Sequence, residues 1–172
     1  MHVLGLTGKK KAGKDTVTQF IMKSMPHKNI VRVGFADALK LEVARACCVT
    51  VDEINKHKDN FRLILQGWGT DFRRKLYGED YWITRWERHV LGLPDDVYMV
   101  IVPDIRFHNE AKTIQDIGGK ICLVDRPTTD TDTHESETTL IPYDYRIVND
   151  KDLGSLLRET KTMMQCIFQK TA

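Results

Sequence analysis

The sequence predicts an α/β fold, a parallel β-sheet of about five strands with helices on both faces. Segments with the pattern of strands alternate with helical segments along the 172 residues, which is typical of βαβ units. Candidate strands such as residues 98–102 are apolar throughout, as strands covered on both faces are. A third indication is an apolar strand near the N-terminus that passes through a glycine-containing loop into a helix.

Length and composition are those of an ordinary globular domain. The chain is 41% apolar and 29% charged, and its length is enough to bury a substantial core in one domain. The formal net charge of +2 is too small to favour a nucleic-acid polymer or an anionic membrane as a main partner. The cysteines lack C-x-x-C spacing, so we expect free thiols in a reducing compartment. No apolar run approaches a membrane span and no leader pattern is present, so we expect a cytoplasmic protein.

The first strand, residues 3–7, leads into the segment Gly8-Lys9-Lys10-Lys11-Ala12-Gly13-Lys14-Asp15-Thr16 and then into an amphipathic helix. Two glycines allow the backbone to turn its N–H groups inward, and the helix N-terminus adds positive charge. Lys14 would then contact the β- and γ-phosphates of a nucleoside triphosphate. A lysine-rich surface turn would also explain the charges, but the strand and helix signals on both sides favour a phosphate-binding loop.

Asp15 occupies the position at which such loops usually have Ser or Thr. The usual hydroxyl is a ligand of Mg²⁺, and a carboxylate is also a good hard-oxygen ligand, directly or through water. We therefore expect Asp15 to take part in metal binding.

The next elements are a strand over residues 30–35 and a helix that Asp37 is expected to cap. A short helix or turn is expected near residues 52–57. At about 100° per residue, the following helix, residues 61–77, collects a narrow polar line on one side. That line consists of Arg62, Gln66, Gly69, Thr70 and Arg73. It is either a binding face, with Gly69 leaving room for something flat, or a solvated helix surface.

Three strands and three helices are predicted in the remainder. Helices are expected at 80–91, 109–117, where Gly118-Gly119 would end the helix, and 153–168; strands are expected at 98–102, 121–124 and 145–148. The threonine-rich stretch 126–142 should form an exposed, mobile loop.

Five polar side chains follow predicted strands closely: Asp37, Asp104, Arg106, Arg126 and Asn149. Because ligands of parallel sheets bind beyond the carboxyl ends of the strands, we expect these residues and the phosphate loop to share one edge.

Six segments, in this order and over nearly the whole chain, resemble the deoxynucleoside monophosphate kinases of bacteriophages. They are the phosphate loop, Phe35-Ala36-Asp37-Ala38-Leu39-Lys40, Leu65-Gln66-Gly67-Trp68-Gly69-Thr70-Asp71, Asp104-Ile105-Arg106-Phe107-His108-Asn109-Glu110-Ala111, His134-Glu135-Ser136-Glu137 and Ile147-Val148-Asn149-Asp150. The same order, with Gly-Lys-Asp in the loop and Ser-Glu in the lid, is also similar to animal phosphomevalonate kinases.

The resemblance implies the three-layer P-loop fold of nucleoside monophosphate kinases in one domain over residues 1–172. A substrate-binding helical insertion is expected at about 52–91 and a lid loop at about 126–142. The implied reaction transfers the γ-phosphoryl group of ATP, with Mg²⁺, to a deoxynucleoside 5′-monophosphate and gives the diphosphate. The protein would then act in the cytoplasm, that of the host if a phage encodes it.

The resemblance also implies site residues. Phosphoryl transfer is expected to involve Lys14, Arg73, Asp104 and Arg106, and Mg²⁺ to bind Asp15 and Asp104. The ATP site is expected at Lys10, Lys11, Ala12, Gly13, Lys14, Asp15, Thr16, Arg126 and Asn149. The acceptor site is expected at Phe35, Ala36, Asp37, Lys40, Arg62, Gln66, Gly69, Thr70, Arg73, Trp82, Asp104, Arg106, Glu110, His134 and Glu137. Gln66 and Thr70 could contact a base edge, and Trp82 would either stack on the base or lie in the core.

Two other functions stay open at this point. One is a kinase of the same fold acting on phosphomevalonate or dephospho-coenzyme A, and the other is a switch that hydrolyses ATP to drive a partner. Gln66 and Thr70 suit a base better than an aliphatic acid, and a switch needs no second small-molecule pocket. An apolar patch on an outer helix could support a homodimer.

Overall fold

The structure, a computed structural model, describes residues 1–127 and 134–168. The chain forms two compact units, one of Met1–Val33 with Pro94–Ala172 and the other of Gly34–Leu93. The second unit encloses the helical insertion expected at about 52–91.

The first unit contains a five-stranded sheet in which every neighbouring pair is parallel. The strands are β1 His2–Thr7, β2 Ile30–Arg32, β3 Met99–Val102, β4 Lys120–Asp125 and β5 Tyr145–Val148. Their order is β2-β3-β1-β4-β5, so β1 is central and pairs with β3 on one side and β4 on the other. The predicted sheet is confirmed.

Helices account for most of the rest of the described chain. They are α1 Lys14–Ser24, α2 Ala36–Ala46, α3 Val51–Lys56, α4 Arg62–Gln66, a π-helix Gly67–Arg74, α5 Lys75–Tyr77, α6 Tyr81–Leu91, α7 His108–Asp116, α8 Glu135–Thr138 and α9 Leu153–Phe168. No helix among the described residues is both long and apolar enough to span a bilayer.

Side chains that alternate along β1 are packed on both faces of the sheet. Leu4 and Leu6 point into a core that includes Val17 of α1 and Met163 of α9. The intervening positions face the other side, where a Cβ on Gly5 would lie 2.2 Å from Ile105 Cδ1. Helix α7 packs on β1 and β4, so the sheet is the middle of three layers, as predicted.

The four cysteines are free thiols, as expected from their spacing. Burial raises the pKa of the Cys122 thiol to about 12, so this residue stays protonated and acts as a small apolar core residue.

The second unit has its own helical core. Leu39 and Val43 of α2 pack with Ile54 of α3 and Trp82 of α6. Thr50 begins α3 with a capping box, in which its hydroxyl accepts from the Glu53 N–H while the Glu53 carboxylate accepts from the Thr50 N–H.

The helix expected over residues 61–77 differs most from the prediction. Only α4 and α5 are α-helical, and the π-helix lies between them. At its end the Lys75 N–H donates to the Thr70 carbonyl, a bond between residues five apart instead of four. The wider turn invalidates side-chain positions calculated at 100° per residue beyond Gln66.

Smaller differences concern element ends. The second strand stops at Arg32, although the Val33 N–H still donates to Ile101 O at 3.0 Å. Asp37 does not cap α2 but lies in its first turn, where it accepts from the Gly34 N–H at 2.7 Å. Gly118, with φ +75°, ends α7 as predicted.

Residues 126–142 were expected to form one exposed loop. Residues 128–133 lie outside the described chain, and residues 135–138 form α8 instead of a loop. The imidazole of His134 caps this helix because its Nδ1 accepts from the Ser136 N–H at 3.2 Å.

Candidate active site

The loop between β1 and α1 has the geometry predicted for phosphate binding. Gly8 has φ +132° and Gly13 has φ +106°, conformations that L side chains rarely adopt. A Cβ on Gly8 would lie 2.2 Å from the Val124 carbonyl oxygen, and one on Gly13 would lie 2.6 Å from Asn149 Nδ2. Both positions therefore require glycine, for close approach as well as for backbone conformation.

Lys14, the first residue of α1, closes the loop. Its ammonium donates to the carbonyl oxygens of Gly8 at 2.6 Å and Lys9 at 2.8 Å. The charge is thus held across the mouth of the loop and beside the N-terminus of α1. A helix N-terminus and an ammonium together make an anion-binding site.

A cleft of about 440 Å³ adjoins the loop. This volume lies in the range of small-molecule sites. The lining residues are Lys11, Ala12, Gly13, Lys14, Asp15, Thr16, Arg126, Asn149, Lys151, Asp152, Leu153 and Leu156. The structure therefore brings together almost all the residues expected at the ATP site. Four lining residues were not predicted, Lys151, Asp152, Leu153 and Leu156, although the position of the first three after the last strand was an available signal.

Asn149 supports the phosphate loop from the end of β5. Its side chain is buried, and Nδ2 donates to the carbonyl oxygen of Ala12 at 2.8 Å. The Asn149 backbone N–H donates to Asp125 O at 2.7 Å, which fixes the residue to the end of β4. Asn149 is therefore part of the scaffold of the loop as well as of the cleft wall.

Asp152 on the same wall begins the last helix. Its Oδ1 accepts from the Ser155 N–H at 2.7 Å. Backbone hydrogen bonding from Ser155 holds the pKa of the Asp152 carboxyl below its ordinary value, so the carboxylate is charged at neutral pH.

The segment after β3 lies beside the phosphate loop. The Ile105 N–H donates to Leu6 O at 3.1 Å, and the Thr7 hydroxyl donates to Ile105 O at 3.1 Å. These two bonds hold Asp104 and Arg106, the neighbours of Ile105, at the end of the central strand. The expected grouping of this segment with the loop is confirmed.

Glu110 and α8 hold Arg106. The buried Glu110 carboxylate accepts from the backbone N–H groups of Arg106 at 2.7 Å and Phe107 at 3.1 Å. The Arg106 guanidinium Nη1 donates to Ser136 O at 3.1 Å, in the helix that His134 caps and Glu137 belongs to. Glu110 is thus a support for Arg106, and Arg106 connects the β3 edge to the segment expected to form the lid.

In the second unit, the expected polar line divides. Gly69 and Thr70 are buried, whereas Arg62 and Gln66 are half-buried. The space beside Gly69 is filled by the protein, since a Cβ there would lie 2.8 Å from Leu39 Cδ2. The expectation that Gly69 leaves room for a flat ligand is therefore corrected.

Trp82 is a core residue of the second unit. Only 4% of its surface is exposed, and its indole N–H donates to the Gly69 carbonyl oxygen at 2.9 Å. A buried ring bonded in this way supports the π-helix. Phe35, directly before α2, packs on Trp86 with ring centroids 5.1 Å apart. Ala36 begins α2, and the Lys40 ammonium lies 4.0 Å from the Asp37 carboxylate.

Arg73 contacts a carboxylate that the sequence analysis did not consider. Its Nε and Nη2 both lie 2.8 Å from Oε2 of Glu42 on α2. Partial burial works against the charge on Glu42, but hydrogen bonds from Trp68, Tyr81 and Arg73 outweigh it and hold the pKa of the carboxyl below its ordinary value. The expected transfer role of Arg73 has to be weighed against this contact.

The residues near the phosphate loop fit Mg²⁺. The described residues contain no group of three or more acidic, histidine or cysteine side chains suited to a metal. Mg²⁺ does not need one, because it usually binds one or two carboxylates together with substrate phosphates and water. Asp15 is exposed in the first turn of α1 and lines the cleft, and Asp104 follows β3.

Comparison with known proteins gives a family match and a distant viral relative. Residues 6–120 match the family model of phosphomevalonate kinase. A protein of Acanthamoeba polyphaga mimivirus named "Putative deoxynucleotide monophosphate kinase" is 26% identical over 89% of this chain and 91% of its own length.

Solved structures give two similarities of low score. Shikimate kinase from Bacteroides thetaiotaomicron has a TM-score of 0.46 at 11% identity and covers 96% of this chain and 97% of its own. Shikimate kinase from Aquifex aeolicus has a TM-score of 0.45 at 13% identity, with coverage of 95% and 96%.

Proposed function

Because this chain belongs to the phosphomevalonate kinase family and is a kinase of the P-loop type, we propose that it phosphorylates deoxynucleoside 5′-monophosphates. The γ-phosphoryl group of ATP would be the transferred group, and the products would be a deoxynucleoside diphosphate and ADP. The observation that carries the acceptor assignment is the viral relative, which aligns with 89% of the chain, beyond the residues that the family model covers.

The donor half of the proposal rests on the phosphate loop and its cleft. Backbone N–H groups of the loop bind the phosphates of ATP, and Lys14 neutralises the β- and γ-phosphates. Arg126 and Asn149, which line the same cleft, are assigned to the nucleoside end of ATP. In-line transfer needs mainly positioning and charge neutralisation, which such a site supplies.

Asp15 and Asp104 are the residues that would hold Mg²⁺. When bound there, Mg²⁺ would supply positive charge that neutralises the phosphates during transfer. Asp15 also lies in the first turn of α1, where a carboxylate is favourable next to the helix dipole.

On the acceptor side, the proposal assigns cations to phosphate and neutral groups to the base. Arg106, with Lys40 and Arg62, would bind the acceptor phosphate and the group in transfer. Gln66 and Thr70 would hydrogen-bond the base. The contact from Arg106 to Ser136 O supports a coupling between transfer and residues 134–138, which would exclude water from the site.

A second acceptor is favoured by one specific observation, the family match. The family model is that of phosphomevalonate kinase and spans residues 6–120. Phosphomevalonate would use the same donor site and the same cations, so it competes with the deoxynucleotide only on the acceptor side.

A coupled assay separates these functions. ATP and Mg²⁺ are incubated with the protein and each of the four deoxynucleoside monophosphates, phosphomevalonate, dephospho-coenzyme A or no acceptor, and ADP is measured. We expect ADP only with one or more deoxynucleoside monophosphates. Turnover with phosphomevalonate alone would establish the second acceptor, and equal turnover without acceptor would show an ATPase instead of a kinase. Lys14→Ala is the control for contaminating kinases.

A further inference from the structure

Glu42 is the centre of a compact polar cluster in the second unit. Its Oε2 accepts from Trp68 Nε1 at 3.0 Å and from Arg73 Nε at 2.8 Å. Its Oε1 accepts from the Tyr81 hydroxyl at 2.9 Å and lies 3.3 Å from Arg85 Nη2. One carboxylate therefore joins α2 to the π-helix through one oxygen and to α6 through the other.

Aromatic rings surround the arginine in this cluster. The Arg73 guanidinium carbon lies 5.1 Å from the ring centroid of Phe72 and 5.2 Å from those of Tyr77 and Tyr81. A guanidinium that is both paired to a carboxylate and stacked on rings is held in one orientation. Arg73 is thus built into the scaffold and its planar donors face Glu42.

The two residues of the π-helix that bond Glu42 Oε2 are five apart in sequence. On an α-helix, residues five apart point about 140° away from each other, so Trp68 and Arg73 could not both reach one oxygen. In a π-helix the backbone bond itself joins residues five apart, so their side chains lie one above the other. The Lys75 N–H to Thr70 O bond shows this pattern at the end of the segment. Contact with Glu42 therefore selects the π form over the α form.

The π form also decides which arginine accompanies Gly69 and Thr70. In an α-helix, Arg73 would share their side, as the sequence analysis expected. In the structure, the buried residues of the π-helix are Gly69, Thr70 and Arg74. The extra residue per turn directs Arg73 away from Thr70 and towards Glu42, whereas Arg74, four residues after Thr70, stays buried on the side of Thr70.

We propose that Glu42 is a positioning residue of the kinase, which locks residues 67–74 in the π-helical form. The lock withdraws Arg73 from phosphate binding and leaves Arg74 as the arginine beside Thr70 on the acceptor-binding side of the segment. That second half rests on the proposed function, because it assigns Thr70 to the acceptor. The first half, that Glu42 locks the π-helix, does not depend on which substrate the protein uses.

Hydrogen exchange tests the lock without any substrate. Glu42→Gln keeps the size of the side chain but loses the charge and cannot accept at both ends. We expect backbone amides of residues 67–75 to exchange at least about tenfold faster, the effect of losing a hydrogen bond to a charged group. Glu53→Gln is the matched control, since Glu53 is an exposed carboxylate in a capping box of the same unit. Equal exchange in the two variants would overturn the lock.

Kinetics test the positioning role on whichever acceptor the wild-type protein uses. Glu42→Gln should raise the KM for the acceptor about tenfold while the KM for ATP changes less than about twofold. Arg73→Gln should show the same pattern through the same cluster, whereas Arg74→Gln should lower kcat as well. A Glu42→Gln protein with faster exchange and unaltered acceptor kinetics would overturn the positioning role.

Two outcomes need separate treatment, a Glu42→Gln protein that does not fold and a wild-type protein without activity on the acceptor panel. If Glu42→Gln does not fold, Tyr81→Phe removes a single hydroxyl from the cluster and the same two measurements apply, with a smaller expected effect. If the wild-type protein phosphorylates nothing on the acceptor panel, the proposed function fails. The exchange comparison then still supports or overturns the lock by itself.

Discussion

Asn149→Ala should weaken the phosphate loop measurably. The substitution removes the buried amide that donates to the Ala12 carbonyl oxygen at 2.8 Å. Ala12 is only 2% exposed, so water cannot readily replace the lost donor. Leaving a buried acceptor unsatisfied costs about 1–3 kcal/mol. For a chain of this size that corresponds to a fall in Tm of roughly 2–12 °C.

Thermal unfolding and ATP kinetics measure the two consequences. We expect the lower Tm together with a higher KM for ATP, because the loop that binds the phosphates loses its support. Asn29→Ala is the control, since Asn29 is an exposed residue of the same unit whose amide donates to Asp96 at 3.1 Å. That variant should stay within about 0.5 kcal/mol of the wild type. Asn149→Asp, which has the same size, should be as damaging as Asn149→Ala because it places an acceptor against the Ala12 carbonyl. Wild-type Tm and ATP KM in both Asn149 variants would refute the reasoning.

Lys14→Ala should reduce turnover with every acceptor by a factor of about 10² to 10³ while the protein still folds, since it removes charge and two hydrogen bonds from the loop but no core packing. Asp15→Asn should raise the Mg²⁺ concentration needed for half-maximal activity, whereas Asp15→Ser should restore much of the activity; equal behaviour in a Mg²⁺ titration would favour a helix-capping role. Glu42 has a pKa below the ordinary 4.5, so its contribution to stability is complete above that pH and disappears as pH falls further. The stability difference between wild type and Glu42→Gln in denaturant titrations should therefore be constant from neutral pH to about pH 5 and shrink below it; a constant difference down to pH 3 would contradict the pairing. Gln66→Ala should change the ranking of the deoxynucleoside monophosphates by kcat/KM with little effect on the KM for ATP, and a uniform loss would place the base pocket elsewhere.

The sheet and the phosphate loop were predictable because their signals are local. Uninterrupted apolar runs mark β3 and β4, and the positive φ angles of Gly8 and Gly13 require glycine at those positions. Most residues lining the cleft follow from the same pattern, because they lie in the loop or just after a strand, whereas Leu153 and Leu156 belong to α9 and were not predicted. Asn149 illustrates the limit of this reasoning. Its position predicted the cleft, but its bond to Ala12 depends on two segments 137 residues apart.

The type of helix at residues 67–74 was not predictable from spacing. An α-helix and a π-helix can contain the same side chains, and intrinsic preference favours the α form almost everywhere. The choice here depends on contacts from other elements, namely Glu42 on α2 and Trp82 on α6. In the sequence, Glu42 is one charged residue of an amphipathic helix, and no local pattern predicts its contacts with Trp68, Arg73 and Tyr81.

The phosphate loop depends on local sequence and the π-helix on contacts distant in sequence, so the donor and acceptor halves of the site would respond differently to substitutions. The donor half depends on glycines and a lysine within one short segment, so a single substitution there acts directly on the bound phosphate. In the function and the lock that we propose, the acceptor half depends on a helix form maintained by a carboxylate at a distance in sequence, so a substitution at Glu42 would act on Thr70 and Arg74 together. Substitutions in the Glu42 cluster would therefore shift acceptor preference as a unit, while the ATP site, anchored by Asn149 and the strand ends, would stay as it is.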